Sequence, residues 1–157
     1  MHGRGPWDGA EIGRYLEQSR VPVRLACADS SGWPVVVSLW YAFDDGALWC
    51  ATPARSRTAR WLERDPRCGF EVAPNQPPYF GVRGQGRAEL LPELGAHVLR
   101  RLVTRYLGGD SSELARWLLS RRAPETAIRI EPVRIASWDF SKRMRGAFAE
   151  TSCRAAR

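Results

Sequence analysis

Apolar and polar residues alternate with a period of two through most of this chain, and short clusters of Asp, Ser, Gly and Pro separate the alternating runs. Such runs are typical of β-strands, because successive side chains of a strand point to opposite faces of a sheet. The pattern predicts strands over residues 23–28, 34–43, 47–52, 67–72, 79–91, 126–130 and 133–140. Turn sequences at Asp29–Gly32 and Asp44–Gly46 join neighbouring strands as hairpins, which favours an antiparallel sheet.

Four segments instead place apolar residues three or four positions apart, which is typical of amphipathic helices. They cover residues 8–19, 56–64, 92–107 and 111–120, and Asp8 is the expected N-cap of the first. The order of elements predicts a mainly β protein of the α+β type, an antiparallel barrel of six or seven strands with flanking helices. One domain over residues 1–157 is expected, with its core over about 20–142 and a mobile tail over 143–157.

The strand predicted over residues 34–43 is apolar on both of its faces. Val35, Val37 and Leu39 lie on one face, and Val36 and Trp40 lie on the other. We therefore expect both faces to be covered. Together with seven tryptophans in a chain of this length, this surplus of apolar surface predicts a symmetric dimer.

The composition disfavours several classes of protein. No apolar run reaches the roughly 18–20 residues of a membrane helix, and the first residues lack the apolar core of a secretory signal, so we expect a cytoplasmic protein. The four cysteines show neither C-x-x-C pairs nor metal-ligand spacing, so neither a disulfide framework nor a metal site is expected. His2 and His97 are the only histidines, which leaves little room for catalytic-triad chemistry.

The formal net charge is +7, from 23 arginines and the single lysine Lys142 against 17 acidic residues. Such a balance favours a nucleic acid or an anionic ligand as partner. The arginines are spread along the chain and interleaved with acidic residues, as in residues 60–65, which disfavours nucleic-acid binding. A nucleic-acid-binding barrel therefore stays only as a secondary alternative.

The segment from Thr52 to Pro66 follows a predicted strand and leads into a predicted helix. It places Arg55, Ser56 and Arg57 at the junction, where the backbone N–H groups of a first helical turn point outward without partners. Two guanidinium groups, a hydroxyl and a helix N-terminus together form a suitable seat for a phosphate group. The same residues also fit a solvated basic helix start that binds no ligand.

Six pieces of the chain occur in the order and with the gaps of a known family. They are residues 24–29 (RLACAD), 32–41 (GWPVVVSLWY), 45–49 (DGALW), 55–66, 81–89 (GVRGQGRAE) and 128–142 (IRIEPVRIASWDFSK). On these pieces residues 20–142 resemble the flavin-nucleotide-binding split β-barrels of the pyridoxamine 5′-phosphate oxidase-like class, which includes reductases that use the deazaflavin F420. The resemblance implies a split β-barrel that forms a homodimer, with two cofactors in clefts at the subunit interface.

The resemblance also implies a place for each part of a phosphorylated cofactor. The phosphate would lie on Thr52, Arg55, Ser56 and Arg57. The flavin or deazaflavin ring would lie along Val37, Ser38, Leu39 and Trp40. A proline is common in the family at the position of Ser38, and a lysine at that of Arg57, where arginine can still clamp a phosphate. The terminal substrate-binding motif of true pyridoxine phosphate oxidases is not evident in residues 135–157, so that activity is not expected.

The implied activity is reduction of an activated double bond in a small enone, quinone or imine, with F420 or FMN as the hydride carrier. Tyr41, Tyr79, Lys142 or solvent could supply a proton, and the sequence does not choose among them. F420 is favoured over FMN because its polyanionic tail suits an arginine-rich groove. The arginines expected in that groove are Arg55, Arg57, Arg60, Arg83 and Arg87.

A non-catalytic carrier of flavin, F420 or haem is the main alternative to an enzyme, because one fold can serve several functions. Under both interpretations Arg55 and Arg57 should matter for cofactor affinity. Arg121 and Arg122, in the predicted connection after the last helix, should matter little.

Overall fold

The computed structural model describes residues 3–145, and its strands form one mostly antiparallel sheet. The strands are β1 Gly3–Arg4, β2 Val23–Ala28, β3 Pro34–Leu39, β4 Tyr41–Asp44, β5 Ala47–Pro53, β6 Arg67–Val72, β7 Phe80–Leu91 and β8 Glu125–Asp139. The helices are α1 Gly9–Gln18, α2 Arg57–Arg64, α3 Gly95–Leu107 and α4 Glu113–Ser120, with a 3₁₀ turn at Pro92–Leu94 before α3. None of the helices in this part of the chain is long and apolar enough to cross a membrane.

The sheet has the strand order β3-β2-β6-β7-β8-β5-β4, and β1 adds to β8 as a short parallel strand. The two edge strands, β3 and β4, are separated by only Trp40. Because the chain joins opposite edges of the sheet through one residue, the sheet must curl into a barrel. This arrangement confirms the predicted antiparallel split β-barrel with flanking helices.

The barrel interior is filled by alternate residues of the strands, as a period of two requires. Val23 and Leu25 of β2 are fully buried there, and α1 adds Ile12 and Leu16 to the same cluster. The side chain of Asp8 caps α1, as predicted, by accepting the backbone N–H of the third helical residue. The packed interior shows that the barrel is a core and not a channel.

The prediction of one strand over residues 34–43 is wrong, because the ladder breaks at Trp40. The Trp40 ring stacks on Tyr106 of α3 with centroids 5.0 Å apart and planes 7° apart. The backbone N–H of Tyr41 donates to the Tyr106 hydroxyl at 3.3 Å. Packing against a helix that comes much later in the chain therefore sets the bend, and no local signal marks it.

The prediction of two final strands over residues 126–130 and 133–140 is also wrong, since β8 continues through Pro132. Proline has no N–H to give to a ladder, and strands accommodate it at irregularities. The register of β7 against β8 shifts between Gln85 and Gly86, and Gly86 pairs with Pro132. The bulge lets one long strand absorb the proline.

The expectation that both faces of the third strand are covered is not met within one chain. Val36 is 62% exposed, and the nearby Trp33 is 72% exposed. At the other end of the sequence, residues 141–145 form a helical turn, and the rest of the predicted mobile tail lies outside the described residues. This uncovered apolar face is a candidate subunit contact.

Candidate functional site

The predicted phosphate seat, formed by Thr52, Arg55, Ser56 and Arg57, lies where β5 leads into α2. Ser56 is the N-cap of α2, and its hydroxyl oxygen accepts the backbone N–H of Ala59 at 3.1 Å. The Thr52 hydroxyl donates to the same oxygen at 3.2 Å. Thr52 is only 6% exposed, so its hydroxyl orients Ser56 and does not face solvent.

The open side of this seat carries positive charge. Arg55 and Arg57 are exposed, and neither forms an ion pair within residues 3–145. The first-turn amides of Arg57 and Thr58 likewise find no backbone or side-chain acceptor in the described part of the chain. Unpaired amides at a helix start and two free guanidinium groups are what an anion needs.

A cleft of about 300 Å³ runs between the sheet and the helices α3 and α4, and Pro53 at the end of β5 forms part of it. We call it the Trp40 cleft. Its sheet side is formed by Ser38, Leu39, Trp40, Ala51 and Pro53. Its helix side is formed by Leu99, Leu102, Leu114 and Leu118. An apolar cleft of this kind suits a planar ring.

The four residues predicted to carry the ring do not all face this cleft. Ser38, Leu39 and Trp40 line it, whereas Val37 packs against the interior core of the barrel. The Trp40 ring is already stacked on Tyr106, so it forms part of the wall. Ser38 is exposed on the cleft side and offers a hydroxyl there.

Two charged residues at the seat end of the Trp40 cleft were missed in the sequence. The Glu125 side chain is only 8% exposed, and its carboxylate lies 3.9 Å from the Arg121 guanidinium. Burial raises the pKa of Glu125, and Arg121 lowers it to a smaller extent. Arg121 was expected to lie apart from the site, so it is unsuitable as a distant comparison. The available signal was alternation, because Glu125 shares a strand face with the buried Ala127.

The candidate proton donor Tyr41 is fully buried inside the barrel. Its hydroxyl donates to the carbonyl oxygen of Leu16 at 2.8 Å. Burial raises the pKa of the Tyr41 hydroxyl, because the phenolate would lose its hydration. A hydroxyl held in this way is poorly placed to deliver a proton to a molecule in the cleft.

The other two candidates, Tyr79 and Lys142, flank the ribbon of β7 and β8 at one end. The carbonyl oxygen of Tyr79 accepts the N–H of Phe140 at 2.9 Å. The phosphate seat lies near the other end, where Pro53 of β5 pairs with Glu125. Since β8 has 15 residues at about 3.3 Å per residue, its two ends are separated by roughly 45 Å along the strand. Within one chain these two side chains are therefore remote from the seat.

A wider groove of about 940 Å³ crosses the outer face of β2, β6, β7 and β8. We call it the outer groove. Its basic side chains are Arg4, Arg24, Arg83 and Arg134. Small residues form much of its floor, namely Ala26, Gly69, Gly84 and Ala136. The expected single arginine-rich groove is thus divided, because Arg83 lies here, Arg87 lines a smaller pocket, and Arg55 lies at the seat.

Metal binding gains no support from the side chains. Among residues 3–145, no three His, Cys, Asp or Glu side chains are grouped so that they could hold an ion. The thiols of Cys27, Cys50 and Cys68 are free and buried, and burial raises their pKa values. They behave as small core residues and not as nucleophiles.

Known structures share this architecture. A conserved hypothetical protein from Mycobacterium tuberculosis matches with a TM-score of 0.72 and 31% identity, over 85% of this chain and 86% of that chain. A FAD-binding protein from Mesorhizobium loti matches with a TM-score of 0.60 and 28% identity, over 83% of this chain and 91% of its own. An F420 reductase matches with a TM-score of 0.67 over 83% of this chain and 98% of that one, and at 21% identity this likeness shows the fold alone.

No curated protein matches the chain significantly. The family model of pyridoxamine 5′-phosphate oxidase, by contrast, matches residues 10–139. This range holds every strand from β2 to β8 and both walls of the Trp40 cleft. The chain therefore belongs to the pyridoxamine 5′-phosphate oxidase-like family of split β-barrels.

Proposed function

We propose that this protein binds a phosphorylated flavin-type cofactor, F420 or FMN, in the Trp40 cleft and reduces a small molecule with it. The substrate class is an enone, quinone or imine with an activated double bond. The names of the similar structures include an F420 reductase and a FAD-binding protein, which supports a flavin-type cofactor. The proposal itself rests on one observation: Pro53, which lines the cleft, lies two residues before Arg55 of the phosphate seat.

The end of β5 places the two features next to each other along the chain. Ala51 and Pro53 line the cleft, and Arg55 to Arg57 follow directly at the start of α2. An elongated ligand with a planar apolar ring at one end and a phosphate at the other matches this sequence of surfaces. The donors also fit, since guanidinium groups and helix amides hold a phosphate and leucines hold a ring.

When bound, such a cofactor supplies hydride transfer. The protein contributes orientation and a dry environment. Leu99, Leu102 and Leu114 cover one side of the cleft and exclude water from the ring position. Arg55 and Arg57 fix the phosphate end, which limits sliding of the ring along β3. Neither role needs a nucleophilic side chain.

We further propose that the site is completed by a second copy of the chain in a homodimer. The cleft volume of about 300 Å³ lies at the lower limit of ligand pockets. The exposed Val36 belongs to β3, and the same strand lines the cleft through Ser38 and Leu39. A second copy could also bring Tyr79 or Lys142 to a site that they cannot reach within their own chain.

A non-catalytic cofactor carrier is the second candidate function, and the position of the proton donors favours it. Tyr41 is buried, and Tyr79 and Lys142 are remote from the seat of their own chain. Catalysis would then depend on solvent or on a partner subunit for its proton. In both cases the buried free thiols suit the reducing cytoplasm, which is the compartment we propose.

Two measurements test the proposal in order. The first is a titration of the purified protein with FMN and with F420, followed by absorbance and fluorescence, and we expect saturable binding of one of them. The second is oxidation of the reduced cofactor by an enone or a quinone in the presence of the protein. Binding without turnover would select the carrier, and failure to bind either cofactor would remove the proposal.

A further inference from the structure

The segment between α4 and β8 lies directly beside the phosphate seat. The backbone N–H of Ala54 donates to the carbonyl oxygen of Pro124 at 2.9 Å, and Pro53 pairs with Glu125 in the ladder. Arg55 is the next residue after Ala54. Arg121 and Glu125 line the Trp40 cleft together with Pro53. One short ladder contact therefore joins this segment to the residues that would hold a phosphate.

The Arg121 guanidinium has unused donors at this position. It lies 3.9 Å from Glu125, which is too long for a hydrogen bond, and 5.3 Å from the centre of the Trp117 ring. It donates no hydrogen bond to another residue of the described part of the chain. Guanidinium carries five N–H donors in a planar fork that suits phosphate oxygens. The side chain is 32% exposed, so the donors are accessible.

The position of Arg121 is related to that of Glu125, with which it forms an ion pair. The Glu125 side chain is 8% exposed, and the Arg121 guanidinium offsets part of the cost of a carboxylate charge there. The start of α3 packs closely against the Glu125 backbone, since a Cβ added at Gly95 would overlap the carbonyl of Glu125. Since Arg121 lines the cleft with Pro53, its guanidinium is a positive charge that this segment offers to an anion held at the end of β5.

We propose that Arg121 is a further ligand for the phosphate of the bound cofactor, shared between that phosphate and Glu125. This inference rests on the proposed function, since it assigns a new residue to the same site. It also gives α4 a part in the site, because Arg121 follows directly after this helix. Cofactor binding should then hold the α4 wall of the cleft in place.

The test compares a cofactor with its phosphate-free form. FMN and riboflavin share the ring, so a phosphate ligand changes FMN affinity alone. We expect R121A to weaken FMN binding at least about tenfold, as for the loss of one charge-assisted contact, and to leave riboflavin within about twofold. R122A removes an exposed arginine next to it and should change neither affinity. If the parent binds only F420, the deazaflavin chromophore without its phosphate replaces riboflavin.

Glu125 gives a second readout with the opposite sign. E125Q removes a negative charge beside the phosphate and should strengthen FMN binding. If the pair of Arg121 and Glu125 had only a structural role, R121A and E125Q would both weaken FMN binding. The double variant R121A/E125Q has no unpaired buried charge and, compared with E125Q, measures Arg121 even if R121A folds poorly. Equal losses for FMN and riboflavin, or an R121A affinity equal to that of R122A, would overturn the inference. A parent that binds no cofactor would instead overturn the proposed function.

Discussion

Arg55 and Arg57 are the side chains on which the phosphate seat depends most. They are exposed and form no ion pair within the described residues, so their charges are available to a ligand. Each charge-assisted contact contributes about 1.5–3 kcal/mol. We therefore expect R55A/R57A to weaken FMN or F420 binding by about a hundredfold or more in a fluorescence titration.

The matched control for this pair is R100A/R122A, which removes the same net charge from two exposed positions. Both double variants should unfold within about 0.5 kcal/mol of the parent, because these exposed side chains do not form the Ser56 cap hydrogen bond or a core contact. If R55A/R57A bound the cofactor as well as the control did, the seat would be an ordinary solvated helix start.

The raised pKa of Glu125 predicts that the free energy of unfolding depends on pH. Its pKa is raised in the folded protein by burial, so the folded state holds this proton more tightly than the unfolded chain does. The stability that this proton contributes is fully present below the unfolded pKa and is lost as the pH rises through the folded pKa. At neutral pH we therefore expect E125Q to unfold at a higher urea concentration than the parent.

The advantage of E125Q should shrink as the pH falls below the ordinary glutamate value of about 4.3, where both states of the parent are protonated. E63Q removes a carboxylate from an exposed position on α2 and is the control. An E125Q variant that is less stable than the parent at neutral pH would mean that the ion pair with Arg121 outweighs burial.

Among the elements, the break between β3 and β4 depends on α3. The Tyr106 hydroxyl accepts the N–H of Tyr41, and its ring stacks on Trp40. Y106F removes the acceptor and keeps the ring, so we expect a loss of about 1 kcal/mol in the free energy of unfolding. Y79F removes a hydroxyl from a residue that is 44% exposed and should cost less than about 0.5 kcal/mol. Equal effects in urea denaturation would show that the hydrogen bond does not hold the bend.

The contact between α3 and β8 gives a second prediction at this level. A Cβ at Gly95 would overlap the backbone of Glu125, so G95A should destabilise the protein by about 1–3 kcal/mol. Gly13 lies within α1, and a Cβ there would meet only Phe43 at 4.0 Å. G13A should therefore stabilise the protein by about 0.4–1 kcal/mol, because alanine favours a helix. A lower midpoint of thermal unfolding for G95A and a higher one for G13A would confirm that Gly95 is needed because α3 packs closely on β8 at that position.

Local patterns predicted the elements whose ends are set by the chain itself. The strands β2 and β6 begin and end at the predicted residues, Asp8 caps α1 as expected, and α2 starts one residue after the predicted Ser56. The errors lie at Trp40 and Pro132, where distant partners decide the outcome. Trp40 bends because Tyr106 packs on it, and Pro132 stays within β8 because β7 shifts register.

The candidate site divides in the same way. The residues of the proposed phosphate seat could be grouped because they are neighbours in the sequence, and the proposed ring strand came from the family resemblance. The pair of Arg121 and Glu125 could not be predicted, because it reaches the seat only through the pairing of β8 with β5. Alternation with Ala127 could indicate the burial of Glu125, but nothing within residues 121–125 indicates which strand β8 pairs with. Sites assembled from separate segments need the fold before they can be recognised.

For the assembled protein, the main prediction is a symmetric dimer that uses the uncovered face of the sheet. Val36 and Val133 both line the outer groove, at 62% and 65% exposure, and Trp33, directly before β3, is 72% exposed. Apolar side chains at such exposure on one sheet face mark a contact surface. Sedimentation at micromolar concentration should therefore give about 35 kDa, twice the chain mass of 17.7 kDa.

The variant V36D/V133D places two charges on this face and should sediment as a monomer. In a symmetric dimer both subunits would present the substituted face, so four carboxylates would have to be buried at the contact. A10D/A96D adds the same charges at exposed positions on α1 and α3 and should remain a dimer. The monomeric variant should also lose cofactor affinity, since one chain encloses only about 300 Å³ of the Trp40 cleft. A monomeric parent would remove the dimer, whereas a monomeric variant that binds cofactor normally would show that one chain forms the whole site.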